Sequence, residues 1–198
     1  MKKRRTLRAL MMRNLMYGAI SLIAVIMAAG IMTPAVASGA SATEIDRDVD
    51  TALQKLYAST PVAEELSKVA RGILVFPEVI KGGLIVGGQY GEGALREEGK
   101  TVGYYKTVAA SYGLQAGAQK FGYAMFFITE SSLTYLDESS GWEVGVGPSI
   151  VVVDEGAARS LTTTTAREDI YVFFFGQKGL MAGLGLQGSK ISRITPDK

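Results

Sequence analysis

Residues 69–95 read VARGILVFPEVIKGGLIVGGQYGEGAL, and this stretch decides the fold. A short apolar strand at residues 73–76 is followed by a proline stop at Pro77, a basic turn at residues 81–83 and a second apolar strand. Six glycines fall within residues 82–93. Glycine inside a strand costs conformational entropy and offers no side chain to pack, so it marks a bulge, a bend or a close approach. The stretch therefore predicts a tightly curved sheet whose backbone lies near a partner surface.

Glycine and aromatic residues return together in three later segments, at residues 112–123, 142–148 and 176–188. Their spacing has no fixed period, so the chain is not predicted to be a repeat protein. Four glycines are expected at bends or close contacts of the sheet: Gly87, Gly88, Gly113 and Gly117. Valine at these positions should then destabilise the fold by about 1–3 kcal/mol through overpacking.

Helices are predicted in three places. Residues 44–59 carry apolar side chains at the three-and-four spacing of one helical face. Thr60 and Pro61 form a start signal for a second helix that runs to about residue 70. A short internal helix is expected at residues 129–136, and the other segments alternate as strands do. The chain is therefore predicted to be an α+β protein, mainly an antiparallel β sandwich or barrel-like sheet that is rich in glycine.

The glycine-rich phrases resemble those of the SYLF family, a lipid-binding domain of eukaryotic membrane-trafficking proteins. That family has secreted and periplasmic bacterial relatives and is related to yeast actin-patch proteins. The resemblance covers residues 45–194, and the matching phrases follow one another in the order that the family has. The matching phrases are ARGILVFP (70–77), VGGQYGEGAL (86–95), TVGYY (101–105), GLQAGAQ (113–119), SSGWEVGVGPS (139–149) and KGLMAGLGLQGSKI (178–191).

This resemblance implies a non-enzymatic domain of the bacterial cell envelope that binds phospholipid or a membrane surface. In eukaryotic relatives an amphipathic N-terminal helix and basic residues bind anionic phospholipid. Here the corresponding helix is acidic, with Arg47 and Lys55 as its bases. The alternative is a structural or protein-interaction module of the periplasm that uses exposed sheet edges to contact an envelope protein.

Bases and polar-tipped aromatics of the sheet are the candidate lipid-binding residues, because a headgroup boundary selects both. They are Arg71, Lys81, Lys106, Lys120, Tyr104 and Tyr105. Lys81 is the first candidate, since the glycines after it leave its turn open. Arg71 precedes the first strand and is expected to share that end, so replacing both with Glu should weaken vesicle binding by more than about tenfold.

The N-terminal segment has the pattern of a secretory signal. Six bases within residues 2–13 precede an apolar run at residues 15–32 and the small-residue site Ala35-Val36-Ala37. The predicted division is a signal peptide at residues 1–37, a linker at 38–43 and one SYLF-type domain at 44–198. Cleavage after Ala42 is the second choice, and an uncleaved membrane anchor is the alternative. Cleavage would give a periplasmic or secreted protein.

Charge argues against a nucleic-acid partner. The chain has 21 basic and 19 acidic residues, and removing the six bases of the signal leaves 15 against 19, a net charge of about −4. A nucleic-acid-binding domain carries a basic footprint of its own. We therefore expect no nucleic acid among the partners.

Composition also argues against an enzyme. The chain has no histidine and no cysteine, which removes the commonest general base, the commonest transition-metal ligands and the thiol nucleophile. Residues 183–188 match G-x-G-x-x-G but lack the helix that a dinucleotide requires. Residues 154–156 resemble part of a cation loop without its full pattern. We therefore predict no enzymatic activity, no cofactor and no metal.

Overall fold

The alternating segments of the chain come together in one sheet in the computed structural model, which describes residues 39–83, 86–112, 117–139, 141–153, 158, 161–179 and 188–197. Residues 39–198 form one compact unit. The helices of the described ranges are α1 (Ala42–Ser59), α2 (Pro61–Ser67) and α3 (Glu130–Glu138). The strands are β1 (Gly72–Gly83), β2 (Val86–Glu97), β3 (Lys100–Tyr112), β4 (Gly117–Phe127), β5 (Trp142–Glu143), β6 (Ile150–Val153), β7 (Ile170–Gly179) and β8 (Lys190–Ile194).

The sheet curls into a half-barrel with the strand order β5-β8-β3-β2-β1-β4-β7-β6. All neighbours are antiparallel except β6 and β7, which run parallel. The two edge strands have two and four residues, and short edges limit pairing with other chains. The α+β class and the mainly antiparallel sheet are confirmed. The described strands form one sheet rather than two facing sheets, so the barrel-like alternative is the one that fits.

The sequence predicted that Pro77 ends the first strand, and that prediction is wrong. β1 continues from Gly72 to Gly83, and its register against both neighbours shifts at the proline, between Val75 and Glu78 on one side and between Phe76 and Val79 on the other. Proline has no N–H to donate, so a bulge is one of the few places where a sheet tolerates it. The two predicted short segments are therefore one long bent strand.

Each face of the sheet has its own core. The α3 face packs large aromatic side chains, including Phe76, Tyr123, Phe127 and Trp142, against Leu133 and Leu136 of α3. The α1 face packs smaller side chains of the sheet, together with Phe126 and Phe173, against α1 and α2. Both cores exclude water, so the middle of the sheet is buried on both sides. Its β1–β2 and β3–β4 hairpin ends extend past the helices.

Glycine lets neighbouring strands meet closely around the bulge in β1. A Cβ at Gly93 would lie 2.0 Å from the carbonyl oxygen of Val75, and one at Gly122 would lie 2.2 Å from the ring of Phe175. No real Cβ approaches other atoms so closely, so these positions admit glycine alone. Close approaches therefore exist at glycines beyond the four that the sequence analysis named.

The four predicted glycines have different outcomes. Gly117 has a φ of 148°, a conformation that other residues rarely adopt, and the backbone of Gly87 lies close to Gly83, where a Cβ would be 2.3 Å from the Gly87 Cα. The prediction for Gly88 is wrong, because a Cβ there would make an ordinary contact of 3.6 Å with the carbonyl oxygen of Ala109. Gly113 lies outside the described residues.

Polar contacts fix α1 on the sheet. Ser41 and Glu44 form a reciprocal capping box at its start. Arg96 of β2 pairs with Asp50 at 2.6 Å and with Asp46 at 3.6 Å. Just before the helix, the backbone N–H of Ala40 donates to a carboxylate oxygen of Glu92 at 2.9 Å. None of the helices in the described ranges is long and apolar enough to cross a membrane, and the predicted signal peptide lies outside those ranges.

Candidate functional site

The predicted lipid-binding residues do not form one patch. Residues paired across neighbouring antiparallel strands share a face, and the register therefore assigns each side chain to a side of the sheet. Lys81 and Tyr105 lie on the α3 face, whereas Tyr104, Lys106 and Lys120 lie on the α1 face. Arg71 lies just before β1, where its guanidinium is 3.9 Å from Glu130.

Arg71 and Lys81 are also far apart along the sheet. The expectation that they share one end is wrong, because β1 runs from Gly72 to Gly83 and places the two bases near its opposite ends. At ~3.3 Å per residue the separation is roughly 30 Å. The sequence expectation treated Pro77 as a break, and a break would have allowed the chain to turn back.

The two tyrosines have structural partners. The hydroxyl of Tyr104 donates to Asp46 of α1 at 2.9 Å, and the hydroxyl of Tyr105, which is 2% exposed, donates to Asp137 at 2.9 Å. Burial, followed by these carboxylates, raises the pKa of both hydroxyls. Both side chains are thus used to hold helices against the sheet.

A different group of residues forms a continuous row across the α1 face. Val108, Tyr90 and Ile80 lie side by side on β3, β2 and β1, and they are 39%, 48% and 51% exposed. Lysines continue the register on both sides. The row consists of Lys190, Val108, Tyr90, Ile80, Lys120 and Lys178 on six neighbouring strands, and exposed Glu143 of β5 lies beyond Lys190. We call it the lysine-flanked row.

The adjacent row, towards the ends of the hairpins, contains only small side chains. Ala110, Gly88, Gly82 and Ala118 lie opposite one another on β3, β2, β1 and β4. Val86, which is 65% exposed, follows on β2. Nothing large projects from these four positions, so Val86 and the apolar residues of the lysine-flanked row are the large exposed side chains described on this part of the α1 face.

A small groove separates the lysine-flanked row from the start of α1. Its volume is about 180 Å³, and it is lined by Ile45 of α1 and by Pro77, Ile80 and Tyr90 of the sheet, with acidic residues at its rim. The Tyr90 hydroxyl donates to Glu92. Burial and this carboxylate raise the pKa of Tyr90 to about 12. The hydroxyl therefore stays protonated at physiological pH and presents an aromatic ring with a neutral polar tip.

The lysines of the row differ in their partners. Lys120 pairs with Glu78 at 2.7 Å, and both side chains are more than half exposed. Such surface pairs contribute little and exchange readily with water or another ion. Lys178 and Lys190 are exposed. Neighbouring Lys106 is half-buried opposite Glu92. The row thus joins apolar surface with mobile positive charge.

Comparison with known proteins does not add to this description. No family model matches the chain, and no curated protein matches it. The described part of the chain contains no group of three acidic side chains placed to hold a metal ion. The side chains that the site exposes are apolar residues and lysines.

Sequence reasoning identified Lys120 but missed the apolar half of this surface. Tyr90 was assigned to a strand, but Ile80 and Val108 fell between predicted segments, and only strand pairing reveals that the three are neighbours. The sequence signal that could have found them is the alternation of apolar residues along a strand. Ile80 and Val108 continue that alternation past the part of the sheet that α1 covers. Their exposure depends on how far α1 extends over the sheet, and the local sequence pattern does not specify that.

Proposed function

We propose that this chain is a peripheral lipid-binding protein whose α1 face rests on an anionic phospholipid surface. The lysine-flanked row carries the proposal, since it places three exposed apolar side chains between lysines on one face of the sheet. The resemblance of residues 45–194 to the SYLF family supports the same class of ligand. No catalytic step is part of the proposal.

The composition of the row matches the boundary between water and a bilayer. An aromatic ring with a polar tip is favoured at headgroup level, as Tyr90 would be. The aliphatic side chains Ile80 and Val108 gain roughly 25 cal/mol for each Å² removed from water. Each lysine near an anionic surface adds roughly 1 kcal/mol, screened by salt. The apolar and electrostatic contributions to membrane binding add only if the apolar side chains and the lysines face the same side of the sheet. The strand register puts both on the α1 face.

The size of the surface favours lipid over a second copy of the chain. Six strands at ~4.8 Å spacing and two rows that each cover ~7 Å along the strands give an area of roughly 400 Å². A stable protein interface buries about 800 Å² on each partner. The short edge strands also give little support to the alternative, in which exposed edges contact an envelope protein. Many weak contacts with a fluid surface need neither a large area nor a free edge.

Vesicle flotation tests the proposal. Vesicles of phosphatidylcholine with phosphatidylglycerol should bind the chain at low salt, and pure phosphatidylcholine should bind it less. Lys120→Glu with Lys178→Glu should weaken binding by more than about tenfold, because each site loses an attraction and gains a repulsion. Ile80→Ser with Tyr90→Ser should weaken binding at low and high salt alike, because the apolar term is not screened.

A matched charge reversal elsewhere provides the control. Lys55 and Lys100 are exposed and lie outside the row, so Lys55→Glu with Lys100→Glu changes the net charge equally and should affect binding much less. Arg71→Glu with Lys81→Glu tests the site first predicted from the sequence. Equal loss in all three charge variants would mean that net charge alone matters. Absence of binding by the parent chain would overturn the lipid proposal and favour a protein partner.

A further inference from the structure

A second cavity lies on the α1 face, between α1, the end of α2 and the paired ends of β1 and β2. Its volume is about 460 Å³, which is within the range of small-molecule sites. One wall of it is apolar and consists of Leu53, Tyr57, Ala70 and Ile73. The lysine-flanked row crosses β1 at Ile80, roughly 20 Å further along the strand. The two surfaces are therefore separate.

Charged side chains of both signs line the rest of this cavity. Lys68 and Arg71 come from the connection between α2 and β1. Asp50 comes from α1, and Glu98 comes from the turn between β2 and β3. Arg96 of β2 also lines it and is paired with Asp50 at 2.6 Å. Apart from that pair, the cavity presents two positive charges and one negative charge.

These three charges are not held by partners within the cavity. Lys68 pairs with Glu65 at 2.6 Å, and Arg71 lies 3.9 Å from Glu130, but all four side chains are more than half exposed. Glu98 makes no ion pair within the described ranges. Exposed ion pairs contribute little and exchange readily with another ion. Lys68, Arg71 and Glu98 can therefore turn to a ligand at small cost.

Arg96 has a hydrogen-bond donor that the chain does not satisfy. Its side chain is 12% exposed, and its Nη2 donates to the backbone oxygen of Asp46 at 3.2 Å and to the Asp50 carboxylate at 2.6 Å. Its Nε is buried and has no hydrogen-bond partner. A buried donor without an acceptor costs free energy. An acceptor that a ligand brings into the cavity beside Arg96 would remove that cost.

We propose that this cavity binds a small zwitterion, a free α-amino acid with an apolar side chain. The carboxylate of the ligand accepts from Arg71, Lys68 and Arg96, and its ammonium group pairs with Glu98. Its side chain packs against the apolar wall. A ligand with a single charge leaves either the two bases or the glutamate without a partner. The cavity shares no residue with the lysine-flanked row, so this inference does not depend on the proposed function.

Calorimetry and NMR of the purified chain with three related probes test the two charges separately. The probes are L-phenylalanine, 3-phenylpropanoate, which lacks the ammonium group, and 2-phenylethylamine, which lacks the carboxylate. Phenylalanine should bind saturably, at least about threefold more tightly than either of the others, and should shift the side-chain Nε–H resonance of Arg96. If phenylalanine does not bind, or binds no more tightly than 3-phenylpropanoate, the inference is overturned.

Two exposed charge variants assign the contacts. Glu98→Gln should weaken the binding of phenylalanine by at least about threefold without weakening that of 3-phenylpropanoate, because only the ammonium group faces Glu98. Arg71→Gln should weaken the binding of both, because both carry the carboxylate. Lys100→Gln is the matched control: Lys100 is exposed and does not line the cavity, so both affinities should stay within about twofold. A Glu98→Gln variant that loses both probes equally, or neither, would contradict the proposal.

Discussion

At the scale of single residues, the shape of the sheet depends on a few missing side chains. Gly93 faces the bulge at Pro77, where its Cα hydrogen leaves room for the Val75 carbonyl. The sequence showed that glycine was abundant, but it did not show which glycines were essential. That distinction depends on which strand lies opposite and on where its register shifts, and both are long-range properties. Gly88, in the same strand, faces ordinary space.

Alanine should therefore be costly at one of these glycines and nearly neutral at the other. Gly93→Ala places a Cβ 2.0 Å from the Val75 oxygen and should destabilise the fold by about 1–3 kcal/mol. Gly88→Ala is the matched control and should change stability by less than about 0.5 kcal/mol. Urea denaturation of both variants measures the difference. Equal midpoints would show that the bulge can move aside without cost.

At the scale of elements, the carboxylate of Asp169 connects β6, β7 and α3. Asp169, just before β7, accepts hydrogen bonds from the backbone and hydroxyl of Ser149, which precedes β6, each at 2.9 Å. Its other oxygen accepts from Thr129, the N-cap of α3, also at 2.9 Å. These bonds, the backbone bond first, lower the pKa of Asp169. The ionised Asp169 side chain therefore joins the starts of β6 and β7, the only parallel pair among the described strands.

Asp169→Asn should destabilise the chain at neutral pH by about 1–2 kcal/mol, because the charge-assisted bonds are lost. The pKa is lower in the folded state, so the ionised form stabilises the fold above the ordinary value near 4. That contribution is lost as the pH falls through the lowered pKa. Urea midpoints of parent and variant should therefore converge below about pH 4. Asp48→Asn, at an exposed ion pair with Arg47, should show no such convergence.

At the scale of the whole molecule, local pattern predicted the elements better than their arrangement. The helices expected at residues 44–59 and 129–136 match α1 and α3 within two residues at either end, since a helical face and a cap are local signals. The lysine-flanked row requires pairings between distant segments, such as Val108 with Lys190. No local signal specifies that register, and so the row was not predicted.

The structure favours one of the two predicted signal-cleavage sites over the other. Cleavage after Ala42 would remove Ser41, the cap of α1, at a cost of about 1 kcal/mol, and would also remove the Ala40 bond to Glu92. Cleavage after Ala37 keeps both. N-terminal sequencing of the extracytoplasmic form should therefore begin at Ser38. An intact Met1 in the membrane fraction would show that the segment remains as an anchor.

The position of β8 has a consequence for how the chain is made. β8 is the last strand in sequence, yet it lies inside the sheet, between β5 and β3. Synthesis proceeds from the N-terminus, so β3 keeps an unpaired edge and Trp142 of β5 has no strand to join until residues 190–194 have been released. The half-barrel can therefore be completed only after residues 190–194 have emerged from the ribosome.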